Sequence, residues 1–173
     1  MTQQAGTQRQ TSKRTDRLLP AGLRVTAGLL WLSNLSWKTP PDFGRSADGC
    51  SGLCRFVEEG SEVAVLPPWA WLLDNVVSPN LALFGYVTLA VEFLLAVLLL
   101  SGTLTRGAAL LGLAQSIAIG LSVANVDGEW YWSYLLMAAL HIAVFAMAAG
   151  RFYGVDAILR ENPKLPRRLL ALT

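Results

Sequence analysis

Four apolar stretches, each long enough to cross a bilayer, restrict what this chain can fold into. They cover residues 18–37, 80–101, 106–125 and 130–150. Each holds about 20 residues, which at about 1.5 Å of rise per residue matches a hydrocarbon core of about 30 Å. The sequence therefore predicts an all-α integral membrane protein: an antiparallel four-helix bundle with a long extracytoplasmic loop, about residues 38–79, between helices 1 and 2.

Charge is scarce and confined to the connections. The chain is 53% hydrophobic and 15% charged, and its net charge of +2 gives no reason to expect a nucleic-acid partner. Lys and Arg are concentrated before the first stretch, in the turn near residue 106 and after the last stretch, which predicts a multi-pass plasma-membrane protein with both termini cytoplasmic. We expect a disordered cytoplasmic tail over residues 1–17, a four-helix membrane domain over 18–160 and a basic cytoplasmic tail over 161–173, with the lipid bilayer as a partner.

One ionisable or amide side chain from each apolar stretch is expected at a similar depth in the inner half of the membrane: Arg24, Glu92, Gln115 and His141. Ionisable groups are expensive in lipid, so they are candidate functional residues. We expect Arg24 to reach Glu92, because a guanidinium pairs well with a carboxylate; a pair that only fixes helix register is the alternative. If His141 lies beside Glu92, it can relay a proton, and simple hydrogen-bonded packing is its alternative role.

The end of the first stretch and the loop after it carry further polar groups. Lys38, after Asn34 and Trp37, is expected to snorkel to the interface, with anion binding as the alternative. Cys50 and Cys54 are the only cysteines, and an extracytoplasmic location favours a structural disulfide over a redox-active pair. No metal site is predicted, since the chain has one histidine and no other ligand cluster.

Small residues recur at every fourth position of the third stretch, which predicts close packing of a neighbouring helix inside the bundle. They are Ala108, Gly112, Ser116, Gly120 and Ala124.

Several segments, in this order and spacing, resemble the DoxX/DoxD family, which includes the small membrane subunit of thiosulfate:quinone oxidoreductase. They are Arg24 with the Trp37-Lys38 exit, Glu92, LSGTLTR at 100–106 and GRFYGVD at 150–156. The resemblance implies a four-helix membrane bundle that works with protein partners in a membrane complex and is linked to quinone-dependent sulfur or thiol redox metabolism. The loop that holds both cysteines is longer than in a minimal member.

The resulting functional hypothesis is a membrane subunit of a quinone-linked oxidoreductase, with no tightly bound cofactor and quinone as a diffusible substrate. The candidate catalytic residues are Glu92, His141 and Arg24, and the candidate binding residues are Trp31, Asn34, Lys38, Arg106 and Gln115. Two alternatives stay open: a non-catalytic anchor or assembly subunit for a soluble redox enzyme, and a small-solute transporter.

Overall fold

The computed structural model describes residues 2–173 of the chain and the side chains of residues 16–173. This part of the chain is mostly helical, with 70% of its residues in helices. In chain order the helices are α1 (Thr2–Asn34), α2 (Gly52–Val63), α3 (Pro67–Leu72), α4 (Leu81–Ser101), α5 (Thr105–Val123), α6 (Tyr131–Ala146), α7 (Val155–Leu159) and α8 (Arg167–Leu170). A π-helical segment (Leu73–Val77) follows α3, a 3-10 turn covers Ala149–Arg151, and β1 (Arg45–Ser46) pairs with β2 (Gly49–Cys50) as a short antiparallel hairpin.

Each of the four long helices overlaps one apolar stretch: α4 and α5 match theirs closely, α1 begins well before its stretch, and α6 ends four residues before its stretch does. Among the described residues, α4 and α5 are long and apolar enough to cross a bilayer, while α6 is apolar but shorter. Helix α1 is longer but carries Arg24 and Asn34 within its apolar half, and these residues lower its hydropathy. Helix α1 packs against α4 and α6, and α5 packs against α6 and α4, so each long helix has two neighbours.

Both ends of the described chain extend beyond the apolar stretches. Helix α1 begins at Thr2, ahead of the first apolar stretch, and the division into two tails and a membrane domain stays a prediction. The basic residues Arg9, Lys13 and Arg14 lie outside the described side chains. At the other end, the Leu172 carbonyl accepts hydrogen bonds from the backbone amides at the start of α5, so residues 161–173 fold back onto the helices.

In the helical part, large apolar side chains are exposed and charged side chains are buried. Large apolar side chains point outwards from the long helices, for example Leu83, Phe93, Leu135 and Ile142, each more than half exposed. The charged and hydrogen-bonding side chains Arg24, Glu92 and His141 are instead fully or almost fully buried. Many exposed large apolar side chains on the long helices are unfavourable in water and suited to lipid.

The small-residue stripe of α5 packs inside the molecule. A Cβ atom on Gly112 would lie 2.2 Å from His141 Nε2, and one on Gly120 would lie 3.1 Å from Tyr134 Cβ. Both His141 and Tyr134 belong to α6, so the stripe allows α6 to approach α5 closely.

The long loop is structured and covers one end of the helices. Helix α2 packs on α5, on α3 and on the π-helical segment. The Asn125 Nδ2 amide donates to the Val63 carbonyl at 3.0 Å, and the Val65 amide donates to the Leu121 carbonyl at 3.1 Å. We call α2 and α3 together the cap. The end of the long helices beneath it is the cap end, and the opposite end, at the α4–α5 connection, is the turn end.

Candidate ligand-binding site

Glu92, near the middle of α4, forms an ion pair with Lys38. The Lys38 Nζ atom lies 2.8 Å from Glu92 Oε2, and the Asn34 Nδ2 amide donates to Glu92 Oε1 at 3.1 Å. Glu92 is 0% and Lys38 4% exposed. Because a buried charge needs a partner of opposite sign, each of these two groups accounts for the burial of the other. The predictions that Glu92 pairs with Arg24 and that Lys38 snorkels to the interface are both wrong.

The end of α1 places these groups. After Asn34 the chain turns tightly, and Lys38 folds back so that its Nζ also donates to the Asn34 carbonyl at 2.9 Å. The Trp37 Nε1 atom donates to Asn34 Oδ1 at 2.9 Å, which directs the Asn34 amide nitrogen towards Glu92. The Trp37 ring also lies 4.2 Å from Lys38 Nζ, in a cation–π contact. Burial lowers the pKa of Lys38 below its ordinary value, and the Glu92 carboxylate opposes that shift.

A cavity of about 920 Å³ lies over this ion pair, beneath the cap. Most of its wall is apolar, and aromatic rings from α1, the turn after α1, α2, α3, α4 and α6 form part of it. The aromatic residues are Trp31, Trp37, Phe56, Trp69, Phe84 and Tyr134. The polar groups that face it include Asn34, Lys38, Glu92, Gln115, Ser116, Glu129 and Tyr134. A mostly apolar cavity with a few fixed polar groups is the usual form of a small-molecule site.

His141 is held by two hydrogen bonds, neither of them to Glu92. Its Nε2 atom accepts from Trp31 Nε1 at 2.9 Å, and its Nδ1 atom lies 2.7 Å from the Met137 carbonyl. Since a carbonyl can only accept, the ring proton belongs on Nδ1, and the imidazole is neutral. Both ring nitrogens of His141 are therefore occupied by hydrogen bonds, which fits a packing role. Trp31 lines the cavity, and His141 does not.

Arg24 lies at the turn end, where it binds the last carbonyl groups of α4. Its Nη1 atom donates to Leu99 O at 2.6 Å and Leu100 O at 2.9 Å, and its Nη2 atom donates to Tyr153 O at 3.3 Å. Helix C-termini present unpaired carbonyls and the negative end of the helix dipole, so a guanidinium is stabilised there. Gly28, one helical turn along α1, lies against Leu100. This register places Arg24 nearer to the turn end than Glu92.

Asp156 performs the complementary role at the start of α5. Its two carboxylate oxygens accept from the backbone amides of Leu104 at 2.7 Å and Thr105 at 2.9 Å. Asp156 is fully buried, and a Cβ on Gly102 would lie 2.6 Å from Arg24 Nη1. The segments 100–106 and 150–156 therefore meet Arg24 at the turn end. Arg24, Gly102 and Asp156 form one structural cluster there.

Of the remaining candidate residues, Gln115 lines the cavity and the others do not. Arg106 is at the turn end, where its guanidinium lies 4.2 Å from the Phe145 ring. Cys50 and Cys54 are joined by a disulfide between β2 and α2, and Cys54 packs with the buried Phe43, Val57 and Leu81. None of these three residues, Arg106 and the two cysteines, lines the cavity.

Two residues that the sequence did not single out complete the polar wall. The Tyr134 hydroxyl, in the first turns of α6, donates to the Glu129 carboxylate in the loop before that helix. Tyr134 follows the aromatic run Trp130-Tyr131-Trp132, which is typical of a membrane-interface belt. In the sequence, Tyr134 is therefore indistinguishable from an interfacial aromatic residue. The signal that was available is the spacing of Glu129 and Tyr134, which brings a carboxylate at a helix start within reach of a hydroxyl in its second turn.

Comparison with known proteins gives one match. The family described as "TQO small subunit DoxD" matches residues 59–170, which include Glu92, Gln115, Glu129, Tyr134 and His141. No curated protein and no solved structure matches the chain.

Proposed function

The chain belongs to the DoxD family, and from that premise we propose that it is the membrane subunit of a quinone-linked oxidoreductase of sulfur or thiol metabolism. In this proposal a quinone head group binds in the cavity beside Lys38 and Glu92. The observation that carries the proposal is a buried Lys–Glu ion pair that faces an apolar cavity of about 920 Å³. The family description and that cavity point to the same class of ligand.

The proposal includes a four-span topology in the plasma membrane. The exposed apolar faces of α4, α5 and α6 would contact lipid, and α1 would be the fourth span despite Arg24, because that guanidinium is buried against helix carbonyls. Both termini and the turn end would lie on the cytoplasmic side, as the distribution of Lys and Arg indicates. The cap, with the Cys50–Cys54 disulfide, would then lie on the extracytoplasmic side.

A quinone suits this cavity for three reasons. It dissolves in the bilayer, so it can reach a site between membrane helices without a tightly bound form. Its flat ring can stack on aromatic side chains such as Trp31, Trp37 and Trp69, which line the wall. Its carbonyl oxygens accept hydrogen bonds, and the Lys38 ammonium stabilises the negative charge that develops on reduction.

Electrons would come from a reduced sulfur compound through a partner protein in a membrane complex, because no redox group is formed by the described side chains that line the cavity. The partner would dock outside the bilayer, where the cap presents the exposed Trp71 and the charged residues of α2. This is also where a purely anchoring subunit would hold a soluble enzyme. The two functions therefore differ in whether the cavity takes part in turnover.

The test is quinone reduction by the purified protein in lipid nanodiscs, together with its tightly associated subunits, using thiosulfate, sulfite or thiols as donors. Glu92→Gln removes the charge that holds Lys38 but keeps the shape and one acceptor oxygen. We expect turnover to fall at least tenfold in Glu92→Gln at a temperature well below the lowered Tm of this variant, where the complex still assembles. Undiminished turnover in this variant would contradict the proposed site, and full assembly without any turnover in the wild type would support the anchor or transporter functions instead.

A further inference from the structure

The cavity contains four titratable side chains among its described lining residues, and two of them cannot readily exchange a proton. They are Lys38, Glu92, Glu129 and Tyr134. Both Glu92 oxygens accept hydrogen bonds, one from the Lys38 ammonium and one from the Asn34 amide, and this geometry favours the carboxylate form. Lys38 donates to that carboxylate and to a backbone carbonyl, and it is needed there as the counter-charge. Protonating Glu92 or deprotonating Lys38 would leave the other charge buried without a partner, which is strongly unfavourable.

The remaining pair, Tyr134 and Glu129, lines the cavity. Tyr134 is half-buried on α6, beside Gly120, whose lack of a side chain lets the phenol pack against α5. Its hydroxyl donates to Glu129 Oε2. Glu129 is also half-buried and lies in the α5–α6 loop, between the exposed residues Gly128 and Trp130. The Tyr134–Glu129 pair is thus hydrogen-bonded, faces the cavity and is partly exposed, in a loop whose neighbouring residues reach solvent.

We propose that the Tyr134–Glu129 pair is the proton-delivery route of the cavity, supplying protons from the cap-end aqueous phase to a quinone bound there. The inference deepens the proposed function and rests on it. A carboxyl and a phenol in hydrogen-bond contact can pass a proton by reversing the direction of one hydrogen bond, and this requires no movement of the backbone.

Two thiosulfate ions joined through a new S–S bond release two electrons and no proton, and the quinone takes up those electrons and two protons to become a quinol. For each proton, Glu129 gains a proton from water and donates it to the Tyr134 oxygen. The Tyr134 O–H bond breaks as a new O–H bond forms on the quinone oxygen, and Glu129 returns to a carboxylate. The net proton comes from solvent.

A structural role for the same pair is the competing explanation, since Glu129 also tethers the start of α6. The two are separated by Tyr134→Phe and Glu129→Gln, which keep size and shape, with Tyr131→Phe and Asp127→Asn as matched controls. Tyr131 is 62% exposed on the same helix, and Asp127 is exposed in the same loop. Neither control residue lines the cavity.

The experiment measures two quantities for each protein in nanodiscs with its associated subunits. Binding of ubiquinone-1 is followed by quenching of tryptophan fluorescence, and thiosulfate-dependent reduction of ubiquinone-1 is followed from pH 5 to pH 9. We expect Tyr134→Phe to lower kcat at least tenfold while the Kd for ubiquinone-1 changes less than threefold. We expect Glu129→Gln to lower kcat similarly and to flatten the pH profile. The groups facing this pair across the cavity, Lys38 and Glu92, are unchanged in these variants.

Each outcome decides the question. Equal loss of binding and kcat in Tyr134→Phe would show a structural role and overturn the inference. Wild-type kcat and pH profile in both variants would overturn it as well, while leaving the quinone site intact. If the wild-type protein neither binds nor reduces ubiquinone-1, the proposed function fails first, and the inference fails with it.

Discussion

Breaking the Lys38–Glu92 ion pair should destabilise the protein strongly, whereas replacing both partners should not. Glu92 is 0% and Lys38 4% exposed, so either partner left alone is a buried charge without compensation. Removing one member of a buried ion pair costs about 3–5 kcal/mol. Replacing both members with apolar residues of similar volume is about neutral, or stabilising by about 1–4 kcal/mol.

We therefore predict that Lys38→Met and Glu92→Met each lower the free energy of unfolding by about 3–5 kcal/mol. For a chain of this length, about 2–4 °C per kcal/mol gives a decrease in Tm of about 6–20 °C. The double variant should recover most of this loss. The assay is thermal or denaturant unfolding in nanodiscs or mixed micelles, with the three variants analysed as a double-mutant cycle.

The chain provides a matched control for this cycle. Arg55 and Glu59 form an ion pair at 2.9 Å on α2, but their side chains are 52% and 42% exposed. Exposed pairs of this i,i+4 type contribute about 0.3–0.5 kcal/mol, so Glu59→Met should have little effect. Two results would refute the reasoning: a Glu92→Met variant no less stable than Glu59→Met, or a double variant whose loss is the sum of the two single losses.

Two further predictions concern the helix contacts. Asp156→Asn removes the carboxylate cap from the first amides of α5 and should lower the free energy of unfolding by about 1–2 kcal/mol, whereas Asp127→Asn, at an exposed position, should change it by less than about 0.5 kcal/mol in the same unfolding assay. Gly112→Ala would place a Cβ 2.2 Å from His141 Nε2 and should cost about 1–3 kcal/mol by overpacking. Gly22→Ala, where no atom lies within 4 Å of the added Cβ, should instead be neutral or stabilising by up to about 1 kcal/mol, and equal effects at the two glycines would contradict the packing argument.

The course of the long helices could be predicted from the sequence because apolar length is a local property. The predicted stretch 80–101 matches α4 (Leu81–Ser101) within one residue, and 106–125 matches α5 (Thr105–Val123) within two. The resemblance to the DoxX/DoxD family is likewise confirmed by the match over residues 59–170. Both inferences depend on composition and order along the chain, without any knowledge of which faces meet.

The partners of the buried charges could not be predicted, because they depend on helix register. The sequence predicts a pair between Arg24 and Glu92, yet each charge has another partner: the α4 carbonyls for Arg24 and Lys38 for Glu92. Lys38 lies outside the first apolar stretch, and only the tight turn after Asn34 folds it back over the cavity. A turn of this kind is set by local hydrogen bonds, which apolar patterning does not report.

The segments that carry the family resemblance also divide into two roles that the sequence alone does not separate. Arg24 and Asp156 hold the connection between α4 and α5, so they position helices and do not reach the cavity. Glu92 and Lys38 face the cavity. The sequence-based set of site residues therefore mixed a structural cluster with the binding site, and it missed Tyr134 and Glu129.

Photolabelling with a short-chain azidoquinone in nanodiscs would test the central claim, the quinone site under the cap, most directly. Peptide mapping by mass spectrometry should place the label on cavity residues such as Trp37, Trp69 and Met137, and an excess of ubiquinone-1 should abolish it. Labelling confined to the exposed lipid-facing positions, such as Leu94 and Leu136, and unaffected by ubiquinone-1 would contradict the account.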